Sequence, residues 1–158
     1  MKFIEKYPNQ TVRALSWKQP FASLMLHGKV ETRVWDSKYL GWVLICASKA
    51  WYSGSKCEEI AGEQQMERIN KIIEESKCEE FPTGKAIAIG KLVRSTTMKN
   101  AGLFGGVQNT EDKCFVTFNS DLYMHIYEDV QPIVPFYWKG KQGWSTLDEE
   151  TKSKIILL

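Results

Sequence analysis

The sequence predicts an α+β protein: a small mixed β-barrel with short helices packed around it. Short stretches of alternating polar and apolar residues recur along the chain, as in strands with one buried face. A continuous apolar run at 42–48 is typical of a central strand. Helical periodicity is sustained only over 55–77, so the strands do not alternate regularly with helices as in a parallel α/β sheet.

The N-terminal part predicts a strand followed by a short helix. Residues 1–10 are polar and are expected to form an arm or an outer strand, outside a core of about 11–158. The alternation at 11–17 predicts a half-buried strand. Pro20 suits the first turn of a helix, where its missing N–H needs no partner, and Gly28 favours a left-handed stop.

The next strand is predicted at 30–35. Side chains alternate across a pleated strand, so Glu31, Arg33 and Trp35 are expected in one row. We expect the first two to open into a cationic hollow beside the short helix.

The middle of the chain predicts a helix, a strand and a loop. Gly62 lowers helix propensity by roughly 1 kcal/mol and is expected to divide the helical segment 55–77. Residues 85–93 alternate small and branched side chains, as in a strand. Three glycines make 95–110 a predicted loop.

The last third predicts strands at 114–118 and 122–127 and a proline-interrupted edge segment at 130–138. A turn at 140–144 follows. The tail from Ser145 onwards predicts a final short helix, capped by Ser145 or Thr146.

Length and composition indicate one ordinary globular domain. The chain has 158 residues, 43% apolar and 25% charged. It has no apolar run of about 20 residues, and its first residues lack the apolar core of a signal peptide, so we expect a cytoplasmic protein, or a nuclear one in a eukaryote. Four scattered cysteines and two histidines give no zinc or disulfide pattern, and no metal or cofactor is expected.

Charge is unevenly distributed along the chain. The segment 55–80 has eight acidic and four basic residues, whereas the remainder has 17 basic and 11 acidic residues. A basic face is the usual electrostatic footprint of a nucleic-acid-binding protein, although a charged stretch also fits a solvated surface.

One stretch carries a family signature. Its parts are Gln19-Pro20-Phe21-Ala22, Gly28-Lys29 and Glu31-Thr32-Arg33, after a hydrophobic strand. In these motifs the chain resembles the ASCH domain, a PUA-like β-barrel. Pro82-Thr83-Gly84 and the glycines and aromatic residue of 140–144 are also similar to ASCH members.

The resemblance covers about two thirds of the chain, over 15–48, 82–93 and 132–144. It implies a single ASCH domain of PUA-like fold over 1–158, with a cleft beside the first short helix. The Glu-x-Arg version of the signature is closest to the coactivator type of ASCH domain, whose implied role is binding nucleic acid.

Lys29, Glu31 and Arg33 form the first candidate site. Glu31 and Arg33 are about 7 Å apart along one strand face, within reach of a charge-assisted hydrogen bond. One interpretation is a salt bridge on a barrel wall. The other is a ligand site in which Arg33 or Lys29 contacts a phosphate or a base, while Glu31 orients them or accepts a proton; Lys29 and Glu31 are thus the catalytic candidates.

Aromatic and basic residues form the second candidate site. Six tryptophans are many for this length, and several neighbour lysine or arginine, an arrangement that suits single-stranded nucleic acid. Trp42 is expected in the core, whereas Lys49, Lys139 and Lys141 are the best phosphate contacts. The complete predicted binding set is Lys18, Gln19, Lys29, Glu31, Arg33, Trp35, Lys49, Lys139, Lys141 and Trp144.

Two other functions stay open. Some bacterial ASCH-like proteins remove the acetyl group from N4-acetylcytidine with a Lys, a Thr and a Glu, in a Gly-x-Lys-Thr-x-Thr-x-Arg segment. In this chain the threonine position is Glu31 and the lysine position is Gly28, unless the alignment shifts by one to Lys29. The catalytic threonine is thus absent at its place, and no nucleophile motif is present. A third interpretation is a protein-interaction module that uses the acidic helix over 58–80.

Overall fold

The computed structural model describes all 158 residues and has a curled sheet of six strands surrounded by short helices, which confirms the α+β class. The strands are β1 (Val12–Gln19), β2 (Glu31–Arg33), β3 (Gly41–Trp51), β4 (Lys85–Thr97), β5 (Tyr123–Tyr137) and β6 (Ser145–Thr146). The helices are α1 (Phe3–Lys6), α2 (Phe21–Leu24), α3 (Gly54–Ala61), α4 (Glu63–Glu75), α5 (Val107–Cys114) and α6 (Glu149–Ser153). Short 3₁₀ turns lie at Met25–His27, Cys78–Glu80 and Ala101–Phe104.

The sheet has the order β2-β5-β4-β3-β1-β6. All neighbouring strands are antiparallel except β1 and β3, which run parallel. None of the helices combines the length and the apolar character that crossing a bilayer requires.

The apolar run at 42–48 lies in β3, a central strand of the sheet as predicted. Val43 and Ile45 enter one hydrophobic core, and Trp42 and Leu44 enter a second core on the opposite face. A strand covered on both faces has no polar side to expose, so its sequence is continuously apolar.

The first predicted unit is confirmed. β1 leads into α2, which begins directly after Pro20, and Gly28 ends the following 3₁₀ turn with φ of +81°. Every residue of α2 is buried. The division of the long helical segment is also confirmed, because Gly62 lies between α3 and α4.

The prediction of an N-terminal arm was wrong. Residues 3–6 form α1, and Phe3 is fully buried in the second core. Lys2 bridges to Ile156 near the other end of the chain. A short polar segment with one large aromatic residue resembles an arm, yet that residue fills a gap in the core.

The predictions for 95–110 and 114–118 were also wrong. β4 continues to Thr97, and α5 occupies 107–114. Phe115 ends that helix in a left-handed conformation, and Cys114 and Val116 are buried with it. The glycines before α5 suggested a loop. The apolar residues at the C-terminal end of α5 resembled a strand, because a few buried residues at a helix end are too short a stretch to show helical periodicity.

The remaining differences concern element bounds. β2 ends at Arg33, two residues earlier than predicted, and 122–138 contains one long strand in place of two segments. The second half of β5 is an edge covered by the C-terminal residues, which donate backbone hydrogen bonds to it and accept them from it. Ser145 and Thr146 pair with β1, and the final helix is capped by Asp148, whose Oδ1 accepts from Thr151 N at 2.8 Å.

Candidate functional site

Two adjoining cavities lie beside the C-terminal half of β1. The inner cavity has a volume of about 290 Å³ and the outer groove one of about 720 Å³. Both are bordered by Ser16, Trp17, Lys18 and Arg33. These four residues therefore form a common wall, and we treat the two cavities as one candidate site.

The predicted cluster of Lys29, Glu31 and Arg33 borders the inner cavity. Lys29 Nζ donates to Glu31 Oε1 at 2.9 Å, and Arg33 Nε donates to Glu31 Oε2 at 3.0 Å. The side chains of Lys29 and Glu31 are only 1% and 6% exposed, whereas that of Arg33 is 22% exposed. The salt bridge and the cavity wall are thus the same structure, and Arg33 is its most accessible member.

Glu31 is held as a carboxylate. Burial by itself raises the pKa of this carboxyl, but the charges of Lys29 and Arg33 and the hydrogen bonds from Lys29 and from Thr32 N outweigh burial, so the pKa is lowered. A carboxylate that accepts three hydrogen bonds and has a lowered pKa stays ionised and holds its two cations in place. It is correspondingly a weak proton acceptor.

Arg33 is fixed from several sides. Its Nη2 donates to the carbonyl of Ser16 at 3.1 Å, in addition to the bond from Nε to Glu31. The guanidinium lies over the indole of Trp17, with 5.0 Å between its carbon and the ring centroid. The guanidinium is consequently presented to both cavities in one orientation.

The outer groove is strongly cationic. Lys49, Lys139 and Lys141 border it together with Lys18 and Arg33, and no carboxylate does. Lys139 and Lys141 belong to the loop after β5, where Gly140 and Gly143 also line the groove. The tertiary structure thus brings four predicted lysines from three distant chain segments to one surface.

Three predicted binding residues border neither cavity. Gln19 is fully buried, where its amide Nε2 donates to Ser23 Oγ at 2.7 Å and to the Pro82 carbonyl at 2.8 Å. Trp35 and Trp144 pack against each other with ring centroids 5.9 Å apart.

The Trp35–Trp144 pair belongs to a larger aromatic cluster. Trp35 also contacts the His125 ring, with 4.8 Å between centroids, and Trp144 contacts the Tyr39 ring at 5.2 Å. Their edge-to-face contacts fill the space between the rings. Trp42, in contrast, is in the core as predicted.

Sequence reasoning missed the aromatic lining. Trp17, Phe21 and Tyr52 border the inner cavity, with the apolar residues Ile60 and Val116. Lys18 lies over the Tyr52 ring with 5.1 Å to its centroid. The sequence predicted that Trp17 lies in a half-buried strand, but no residue pattern indicated that Trp17 would border a cavity.

The structure brings together no group of three or more His, Cys, Asp or Glu side chains suited to a metal ion. His125 is buried, and burial lowers the pKa of its imidazole, while Nε2 lies 3.0 Å from the carbonyl of Trp35. Burial likewise raises the pKa of the Cys114 thiol to about 11, so this sulfur remains protonated at neutral pH.

In comparisons with known proteins, no family model matches the chain, and no curated protein matches it either.

Proposed function

We propose that this chain is an ASCH domain of PUA-like fold that binds RNA or single-stranded DNA. One observation carries the proposal: the outer groove is bordered by five cationic side chains and no acidic one. Phosphate contacts supply much of the affinity for nucleic acid, and such contacts need lysine and arginine on a common surface.

The inner cavity supports a single-stranded ligand over a duplex. Five of its lining residues are apolar or aromatic, a lining that suits the ring of a base: Trp17, Phe21, Tyr52, Ile60 and Val116. A base held in a duplex cannot enter such a recess, whereas an unpaired base enters it while its backbone stays in the groove. The volume of about 290 Å³ is at the lower end of the range for small-ligand sites.

The proposal predicts salt-dependent binding. Affinity for a labelled oligouridine, measured by fluorescence anisotropy between about 50 and 200 mM salt, should fall steeply because bound phosphates release counterions. Replacing Lys139 and Lys141 by alanine should weaken binding. It should also reduce the slope of log affinity against log salt concentration by about 0.7 for each phosphate that is no longer bound.

A matched control is the double replacement of Lys71 and Lys77, which are exposed on and just after α4, away from the residues that border the groove. It removes the same charge and should leave the salt dependence unchanged. An affinity that does not change with salt concentration would contradict a phosphate-binding groove. So would an equal loss of affinity in both double variants.

A second candidate is an amidohydrolase that acts on an acylated nucleoside such as N4-acetylcytidine. The observation in its favour is that Lys29, Glu31 and Thr32 all border the inner cavity. It predicts that the protein releases cytidine from N4-acetylcytidine and that Lys29→Met abolishes the release, as followed by chromatography. Absence of cytidine from the reaction of the folded wild-type protein would rule it out.

A further inference from the structure

We propose that Arg33 reads the base in the inner cavity and selects guanine through its O6 and N7 atoms. This inference rests on the proposed function, because it requires that a single strand places a base there. It assigns a specificity-determining role to one guanidinium that borders both cavities.

Arg33 is oriented before any ligand binds. Glu31 Oε2 and the Ser16 carbonyl each accept one of its hydrogen bonds, and the Trp17 ring supports its flat face. A flexible side chain fixed in this way loses little further freedom when a ligand binds. Planar, fixed donors recognise planar acceptors with defined geometry.

The guanidinium of Arg33 also has N–H donors without a protein acceptor. An arginine carries five N–H donors, and only two of those of Arg33 have a protein acceptor. The carboxylate of Glu31, the one acidic group of the cavity, already accepts three hydrogen bonds.

The cavity therefore has an excess of donors, and a matching base must present acceptors. Guanine offers O6 and N7 side by side, and arginine pairs with both at once. Adenine places an amino donor beside its N7, so a guanidinium that meets that edge loses one hydrogen bond and opposes another donor. Phosphate also offers paired acceptors, but the apolar residues that line the inner cavity suit a base better than a phosphate, and the cationic groove is available to phosphates.

The experiment compares wild-type binding to short oligouridines of equal charge that differ in one central nucleoside. Guanosine and inosine, which share O6 and N7, should bind equally. Adenosine and 7-deazaguanosine, which lacks N7, should bind about tenfold or more weakly. Because all four strands have the same phosphates, backbone contacts cannot produce these differences.

Arg33→Lys tests the residue. It keeps the positive charge but not the paired donors, so it should bind guanosine and adenosine strands alike, while Arg94→Lys, at an exposed position on β4, should retain the preference. Equal binding of all four strands by the wild type would overturn the inference and leave the groove intact. Binding of no strand at low salt would overturn the proposed function with it. A folded Arg33→Lys protein that still prefers guanosine would show that Arg33 is not the reader.

Discussion

At the scale of single residues, the site depends on one buried carboxylate. Glu31 neutralises Lys29, which is almost completely enclosed, and fixes Arg33 at the edge of the inner cavity. Without that carboxylate, the buried Lys29 ammonium and the partly exposed Arg33 guanidinium would repel each other in a poorly screened environment. Glu31 thus has a structural role that is needed whatever the ligand.

Replacing Glu31 by glutamine should cost about 3–5 kcal/mol of folding free energy at neutral pH, because it leaves the Lys29 ammonium buried and uncompensated. The pKa of Glu31 is lowered in the folded protein, so its contribution is present above the pKa of the unfolded chain and is lost as pH falls through the folded value. Urea unfolding at neutral and progressively more acidic pH measures both effects.

The stability difference between wild type and Glu31→Gln should therefore narrow in acid. Glu128→Gln is the matched control, since Glu128 is exposed on β5 and forms no ion pair. It should leave stability nearly unchanged at every pH. If the difference in unfolding free energy between wild type and Glu31→Gln stayed constant down to strongly acidic pH, the ion pairs of Glu31 would not be its cause.

At the scale of secondary-structure elements, Gly62 allows α3 and α4 to pack as two helices. Its φ is +82°, a conformation that other residues rarely adopt. A Cβ there would fall on Thr117 Oγ1, which donates to the carbonyl of Ala61 at 3.0 Å. The break positions Ile60 of α3 at the wall of the inner cavity.

Gly62→Ala should therefore destabilise the protein by about 1–3 kcal/mol through backbone strain alone, and the steric clash with Thr117 adds to this cost. Gly54→Ala is its control: Gly54 is the first residue of α3, and a Cβ there meets no atom within 4 Å. That change should be neutral or stabilising by up to about 1 kcal/mol. Thermal unfolding of both variants measures their stabilities. A Gly62→Ala protein with the same melting temperature as Gly54→Ala would contradict this account.

In the whole molecule, the sheet separates two hydrophobic cores that are covered by different parts of the chain. One core lies under α2 to α5, and the other is closed by residues near the two chain ends, including Phe3, Ile155 and Leu157. The candidate site is on the side of the first core, where Trp17 contributes to both the core and the cavity wall. Changes near the chain ends should consequently affect stability more than ligand binding.

The local features could be predicted from the sequence alone. The central strand followed from a continuous apolar run, the helix stop from Gly28, and the division of the helical segment from Gly62. It also brought Lys29, Glu31 and Arg33 together, because three residues within five positions cannot lie far apart. These features depend on neighbouring residues alone, which is why residue patterns reveal them.

How distant segments of the chain meet depends on the packing of the whole fold. Lys18, Lys49 and Lys139 border one groove because of the curl of the sheet and the register of its strands, and no local pattern records either. The same holds for Phe3, which is buried in the second core, and for Trp35 and Trp144, which pack against each other and do not border the groove. Burial of an aromatic ring depends on what other parts of the chain place around it.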